Sequence, residues 1–308
     1  MANPSYNIND VYGAIYKINN YFGEFNNGGV IFDKTDGEIH KYCHYRSKSG
    51  SDKCRDYLEK ASSGVIHLLK ELKGISGLEY EQLAEYAILW LSYKLNISQK
   101  TKDTKLNDFY TKYIETNKHY NNRIKGDGSL TYKDIIDKKK NLIYTNDLYY
   151  LNHPFSLLCY LYTMTKYETW VCGAYLQYAN LFAESFKKRS QLSDNIEGSS
   201  YNKILSTLSD DYCNLKKTCK IFPSLPKIEP KKKPSENPVQ STALSPEATS
   251  SSSSISTTLI PGLSVVSVIP VFLGIAYKYS LFGVDKLFQR QYLRKKLKNV
   301  KKKMKLNI

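Results

Sequence analysis

The sequence predicts an all-α N-terminal domain, joined through a disordered stalk to a single C-terminal transmembrane helix. Three observations lead there. Apolar residues recur at helical spacing through residues 1–220, and clear period-two alternation is absent. Residues 221–254 are rich in proline and serine, a composition that buries too little apolar surface to offset chain entropy. Leu259 to Tyr277 is a run of nineteen residues without a charge, followed by a strongly basic tail.

Taken in order, Val11, Ile15, Ile18 and Phe22 form the first helical stripe. The stretch Gly23 to Gly50 is rich in Gly, Asn, Asp and Lys and reads as a long loop. Asp52 is the expected N-cap of a helix carrying Leu58, Ala61, Val65, Leu68, Leu69 and Leu72, stopped by Gly74 and Gly77. The strongest helix signal runs from Leu78 to Asn96. Leu83, Tyr86, Ala87, Trp90, Leu91 and Leu95 give it a broad apolar face, and Lys94 is assigned to its polar side. Glu79, Glu81 and Glu85 lie towards its positive N-terminal end.

A further amphipathic stretch spans Lys105 to Arg123 and is broken by Gly126-Asp127-Gly128; Thr131 is the expected cap of a short helix through Ile136. His153-Pro154 opens the nearly continuous apolar run Phe155 to Met164, with proline at the favoured first helical position. A helix apolar all round is expected at the centre of its domain. Two more follow, one with Val171, Ala174, Tyr175, Tyr178, Phe182 and Phe186, the other with Tyr201, Ile204, Leu205, Leu208, Tyr212 and Leu215. The chain has 27 tyrosines against 11 phenylalanines, and a ring with a polar tip suits half-buried helix faces.

Domain organisation then reads as a helical domain over 1–220, a stalk over 221–254, a membrane span over 255–277 and a basic cytoplasmic tail over 278–308. At 1.5 Å per residue the uncharged run extends roughly 28 Å, close to the hydrocarbon thickness of a bilayer. The formal net charge of +16 suggests a nucleic-acid partner until its distribution is considered. Residues 278–308 hold eleven Lys or Arg against the single acid Asp285, whereas residues 1–220 are nearly balanced. A basic segment beside an apolar one denotes topology, with the tail cytosolic and the N-terminal domain translocated. Within the tail, Leu293, Leu297, Val300 and Met304 share one helical face, surrounded by Lys295, Lys296, Lys298, Lys301, Lys302, Lys303 and Lys305. That pattern predicts a helix lying on an anionic membrane surface, so the lipid bilayer is the expected partner and nucleic acid is not. The N-terminus carries neither a basic region nor an apolar one, and no cleavable signal peptide is expected there.

Six cysteines, Cys43, Cys54, Cys159, Cys172, Cys213 and Cys219, all fall in the N-terminal domain. An even count on the translocated side predicts up to three disulfides, in any of fifteen connectivities. Buried free thiols are the competing reading. Zinc is disfavoured, since no C-x-x-C occurs and His40, His44 and His67 make no recognised ligand spacing. Nor does a catalytic constellation emerge: His153 reads as a helix-opening residue, and Asp134 and Asp137 beside Lys138, Lys139 and Lys140 read as a solvated charge cluster. Gly28-Gly29 lacks the strand–helix context of a phosphate loop. Asn96-Ile97-Ser98 is a lone glycosylation sequon. No enzyme activity and no cofactor are expected.

Several motifs go further. Tyr42-Cys43 is followed by Cys54, then by Glu85-Tyr86-Ala87-Ile88-Leu89-Trp90-Leu91-Ser92-Tyr93-Lys94-Leu95-Asn96. Ile136-Asp137-Lys138-Lys139-Lys140-Asn141-Leu142 and Ile204-Leu205-Ser206-Thr207-Leu208-Ser209 come next, and Phe272-Leu273-Gly274-Ile275-Ala276-Tyr277-Lys278-Tyr279-Ser280-Leu281-Phe282-Gly283 is the most specific. Together they resemble the Plasmodium interspersed repeat proteins of malaria parasites, in particular the Cir/Yir/Bir group from rodent hosts, over nearly the whole chain. The resemblance implies a disulfide-containing helical ectodomain and no catalytic residues. It also implies a variant antigen exported to or displayed on the infected cell, serving antigenic variation, immune evasion and contact with a host receptor or immune molecule. The alternative is a structural or trafficking protein of the parasite–host membrane system.

Overall fold

In the computed structural model, residues 6–27, 30–43, 53–125, 129–166 and 171–232 are described. Gly126-Asp127-Gly128, Trp170, most of the predicted stalk, the span 255–277 and the tail 278–308 with Leu293, Leu297, Val300, Met304, Lys295, Lys298 and Lys302 lie outside the described residues. The described part is helical, with one small hairpin.

Helix α1 (Ile8–Asn19) starts at Asn7, whose side chain accepts from the Asn9 amide. Strands β1 (Phe22–Asn27) and β2 (Val30–Thr35) then pair antiparallel, from Phe22 opposite Thr35 to Asn27 opposite Val30. A 3₁₀ helix follows over Gly37–Tyr42. The predicted loop over Gly23 to Gly50 is thus corrected as far as Cys43; residues 44–50 lie outside the described residues. Its Gly and Asn content obscured two short strands, although Gly-Gly flanked by strand-forming residues is itself a hairpin signal. Helix α2 (Tyr57–Lys73) is capped by Asp56, which accepts from the Glu59 amide at 2.8 Å, rather than by Asp52. After Gly77, whose φ of 80° suits glycine, helix α3 (Tyr80–Ile97) opens on a capping box between Glu79 and Gln82.

The amphipathic stretch from Lys105 to Arg123 is not one helix. It divides into α4 (Leu106–Phe109), a π turn (Tyr110–Ile114) and a 3₁₀ turn (Lys118–Asn121), because Asn117 turns its side chain back to cap His119. Thr131 and Asp134 form a reciprocal cap on α5 (Tyr132–Asp137), and α6 (Lys140–Ile143) and a 3₁₀ turn (Asn146–Leu151) lead into α7 (Asn152–Met164). Pro154 is the third residue of α7, still within the first turn, where no intrahelical donor is needed. Helices α8 (Cys172–Ser190) and α9 (Ser200–Thr218) complete the order.

Helices α3 and α7 share the centre. From Leu83 to Leu91 every residue of α3 is buried, since α2, α5 and α7 all pack on it. Lys94 belongs to this interior as well, correcting its assignment to the polar side. It is 2 % exposed, donates to the Phe22 carbonyl at 2.9 Å and holds its ammonium 4.2 Å from the Phe22 ring centre. Burial pushes its pKa down to about 7, against the opposing charge of Glu24. The charge cluster near Lys138 is structural as well. Lys138 pairs with Glu81 at 2.9 Å and Lys139 with Glu85 at 3.0 Å, fastening α5 and the residues after it to α3. Residues at the start of the predicted stalk fold back too, with Phe222 buried beside Tyr212, whose hydroxyl donates to the Pro223 carbonyl.

Asp211 of α9 is 2 % exposed and has no cationic partner among the described residues. Its carboxylate accepts from Tyr12 of α1 at 2.8 Å and from Tyr86 of α3 at 3.0 Å. Tyr162 of α7 stacks on Tyr12 at 4.2 Å and donates to the Asp211 backbone carbonyl at 2.6 Å. Burial raises the Asp211 pKa to about 7, and the tyrosine hydrogen bonds only partly offset it.

This packing has two measurable outcomes. A Cβ at Gly64 would lie 2.5 Å from the Trp90 ring, whose Nε1 is fixed to Asn19 at 2.9 Å. The clash outweighs the helix-propensity gain, so Gly64→Ala should destabilise the domain by about 1–3 kcal/mol. An unchanged or raised melting temperature would contradict that. For Asp211, the unfolded chain releases the proton in the ordinary carboxylate range while the folded chain keeps it to about pH 7. Stability therefore falls as pH rises from about 4 to about 7 through this group. Asp211→Asn should gain on the parent protein, in urea-unfolding free energy, between those two pH values; a difference independent of pH would refute the assignment.

Candidate functional site

Two disulfides cross-link the described domain. Cys43 and Cys54, with Cα atoms 5.2 Å apart, join the end of the 3₁₀ helix to the approach of α2. The surroundings hold that junction: the Cys54 amide donates to His40 Nδ1 at 3.0 Å, His67 Nε2 lies 2.9 Å from the Glu38 carbonyl oxygen, and Asn117 donates to the Tyr42 carbonyl at 2.9 Å. The side-chain donor atoms of His40, Cys43 and Cys54 lie within 4.8 Å of one another. The sulfurs are bonded to each other, however, and His40 Nδ1 is already an acceptor, which leaves no thiolate set for a metal.

Cys172 at the start of α8 pairs with Cys219 at the end of α9, Cα atoms 5.5 Å apart. Two bridges fall within the expected maximum of three, and Cys159 and Cys213 are free. Cys159 lies in the core and its thiol is raised by burial and then by Asp211; Cys213 is exposed on α9. A six-residue step along one helix keeps Cys213 and Cys219 apart, and α9 continues to Thr218 without the break their pairing would need.

The remaining residues singled out from sequence are structural. His153 Nδ1 lies 3.0 Å from the Oγ of buried Ser185, while the rest of the histidine reaches the surface. Burial, then Arg189 and Lys188, lower the His153 pKa. Ser98 of the sequon is buried and its hydroxyl accepts from the Lys100 amide at 3.2 Å. Among the described residues no helix is long and apolar enough to cross a membrane. What the domain offers outward is a set of exposed apolar and aromatic side chains. Val171 and Ile221 flank the second disulfide at 62 % and 56 % exposure, and Tyr144, Tyr149 and Tyr150 line the approach to α7. Arg189 sits 5.3 Å from the Tyr150 ring centre. This outward surface lay beyond reach of periodicity, which finds only what is buried.

The loop closed by Cys172 and Cys219 spans 47 residues, that of Cys43 and Cys54 only 11. Chain entropy then favours the second bridge, at about 4 against about 3 kcal/mol. Removing it by paired Cys→Ala substitution should cost the more in denaturant unfolding; the reverse order would contradict the entropic account. Alkylation of the native, non-reduced protein should mark Cys213 alone, and alkylation in denaturant should add Cys159. Labelling of Cys172 or Cys219 without reduction would disprove the pairing.

Comparison with known proteins fits this architecture. The family model described as Plasmodium variant antigen protein Cir/Yir/Bir matches residues 12–278. Among solved structures, the chain is similar to one described as a Plasmodium PIR protein ectodomain, at 28 % sequence identity and a TM-score of 0.54. That likeness covers 73 % of this chain and 99 % of the other. No curated protein matches. The extent of the family match, from α1 to the end of the uncharged run, places this chain in the Cir/Yir/Bir family of Plasmodium variant antigen proteins.

Proposed function

We propose that the chain is a surface-displayed or exported antigen of the malaria parasite, whose helical domain faces away from the cytosol and serves antigenic variation, immune evasion and contact with the host. The observation that carries this reading is the match to a variant antigen family along residues 12–278. Two bridges in the described domain agree with it, since disulfides persist in oxidising compartments. The charge pattern supports the orientation: an uncharged run over Leu259 to Tyr277 crosses the bilayer, and eleven basic residues hold the tail in the cytosol. There Leu293, Leu297, Val300 and Met304 lie in the membrane surface with Lys295, Lys298 and Lys302 at the headgroups. The bilayer is one partner; a host receptor or immune molecule, met through the N-terminal domain, is the other.

Protease treatment of intact infected red cells tests the orientation. The N-terminal domain should be cleaved while an antibody against the tail still detects a membrane-bound remnant. A domain protected until the cells are permeabilised would overturn surface display and favour a trafficking role inside the host cell.

A further inference from the structure

The C-terminal turn of α8 and the segment 226–231 border an open surface cleft of ≈ 330 Å³, within the range of small-ligand sites. Sequence explains both walls. On α8, Lys187 and Gln191 stand one turn apart on a single face. On the opposite wall, Pro223, Pro226 and Pro230 restrict the backbone and bias the residues before them towards extended conformations. Alternate side chains then share a face, and Lys227, Glu229 and Lys231 all line the cleft. The segment is anchored at its end: the Lys231 amide donates to the Asn195 carbonyl at 2.8 Å, and the Glu197 amide donates to the Lys231 carbonyl at 2.9 Å.

Charge is unbalanced here. Some lysines of the domain meet acids, as Lys100 does with Asp33 and Lys133 with Asp137. Lys187, Lys227 and Lys231 have no such partner among the described residues, and Glu229 is the single acid in the lining. Like charges gathered at one cleft repel, a cost that a bound anion removes. The negative end of α8 opposes an anion less strongly than a bare one would, because three of its last carbonyls are occupied. Asn195 donates to the Ser190 carbonyl at 2.7 Å, the Ser190 hydroxyl to the Lys187 carbonyl at 2.9 Å, and the Tyr201 hydroxyl to the Arg189 carbonyl at 3.1 Å. Leu192 and Pro226 add an apolar patch, and Gln191 and Glu229 add groups that bond hydroxyls.

We infer that this cleft binds an acidic saccharide. The ammonium groups hold its sulfate or carboxylate, Glu229 and Gln191 take its ring hydroxyls, and Leu192 with Pro226 packs against a C–H face of the ring. A bare inorganic anion would use the lysines but be repelled by Glu229. As a partner for an outward-facing domain, such a ligand rests on the display reading. The binding itself is measured on purified protein, so the two stand or fall separately.

The experiment is calorimetric titration of the full chain in detergent with a heparin tetrasaccharide and with sialyllactose, against neutral lactose, inorganic phosphate and phosphatidylserine vesicles. Sulfated or sialylated sugar should bind and lactose should not. The triple variant Lys187→Gln, Lys227→Gln, Lys231→Gln should weaken binding about tenfold or more, while Lys105→Gln, Lys112→Gln, Lys118→Gln, outside the cleft, leaves it unchanged. Glu229→Gln should weaken the sugar and strengthen phosphate. Equal binding by both triple variants, each with a parental circular dichroism spectrum, overturns the site. So does phosphate or vesicle binding as tight as that of the sugars, or no sugar binding at low salt. A negative result together with a domain cleaved on intact cells leaves display standing; binding together with a protected domain removes display and leaves the cleft.

Discussion

The carboxylate of Asp211 has no cation to answer it among the described residues, and the packing of four helices is arranged around supplying hydroxyls in its place. Tyr12, Tyr86 and Tyr162 come from α1, α3 and α7 and converge on one residue of α9. A buried carboxylate left unsatisfied is costly, so these helices cannot slide past one another without exposing that cost. Dispersion and apolar burial bring the helices together; the acid sets their register. The other tyrosines repeat the device on a smaller scale. Tyr57 donates to the Lys94 carbonyl, Tyr120 to the Ser62 carbonyl and Tyr212 to the Pro223 carbonyl. Some of the tyrosines therefore tie their rings to the backbone of neighbouring elements.

Periodicity made α1, α2, α3, α8 and α9 legible, because each buries a stripe against a common core, and the apolar run Phe155 to Met164 did the same for α7. Sequence and structure part where residue type overrules phase. Asp211 lies in step with Ile204, Leu208 and Leu215, and Lys94 in step with Ala87, Trp90 and Leu91, so both occupy apolar stripes despite their charge. What no phase argument could supply was the partner: Phe22 and Tyr57 over Lys94, or Tyr12 and Tyr86 over Asp211, come from elements distant in sequence. The disulfide pairing was equally beyond local inspection, since fifteen connectivities are open to six cysteines and only the fold brings Cys172 to Cys219. The cleft between α8 and the segment after Phe222 was hidden for a related reason. Proline-rich sequence there resembles stalk, yet Leu225 and Ile228 pack against the core.

In this domain the Asp211 cluster, the Lys94 cage and the ion pairs from Lys138 and Lys139 to α3 are internal, and each depends on several residues at once. Exposed positions such as Tyr144, Tyr149, Val171 and Ile221 carry no comparable dependence. Substitutions there cost little stability, so the fold separates what holds it up from what it shows.

The bridge between Cys172 and Cys219 also changes how the domain bears load. Tension arriving along the chain from the C-terminal side first meets residues 220–232, which lie outside the bridge. At Cys219 it passes through the sulfur atoms to Cys172 and onward into the chain before α8. All of α8 and α9 then lies on a closed loop that transmits none of the pull. Such a pull can strip the cleft wall after Phe222 while α9, with Asp211 in its socket, stays unstretched.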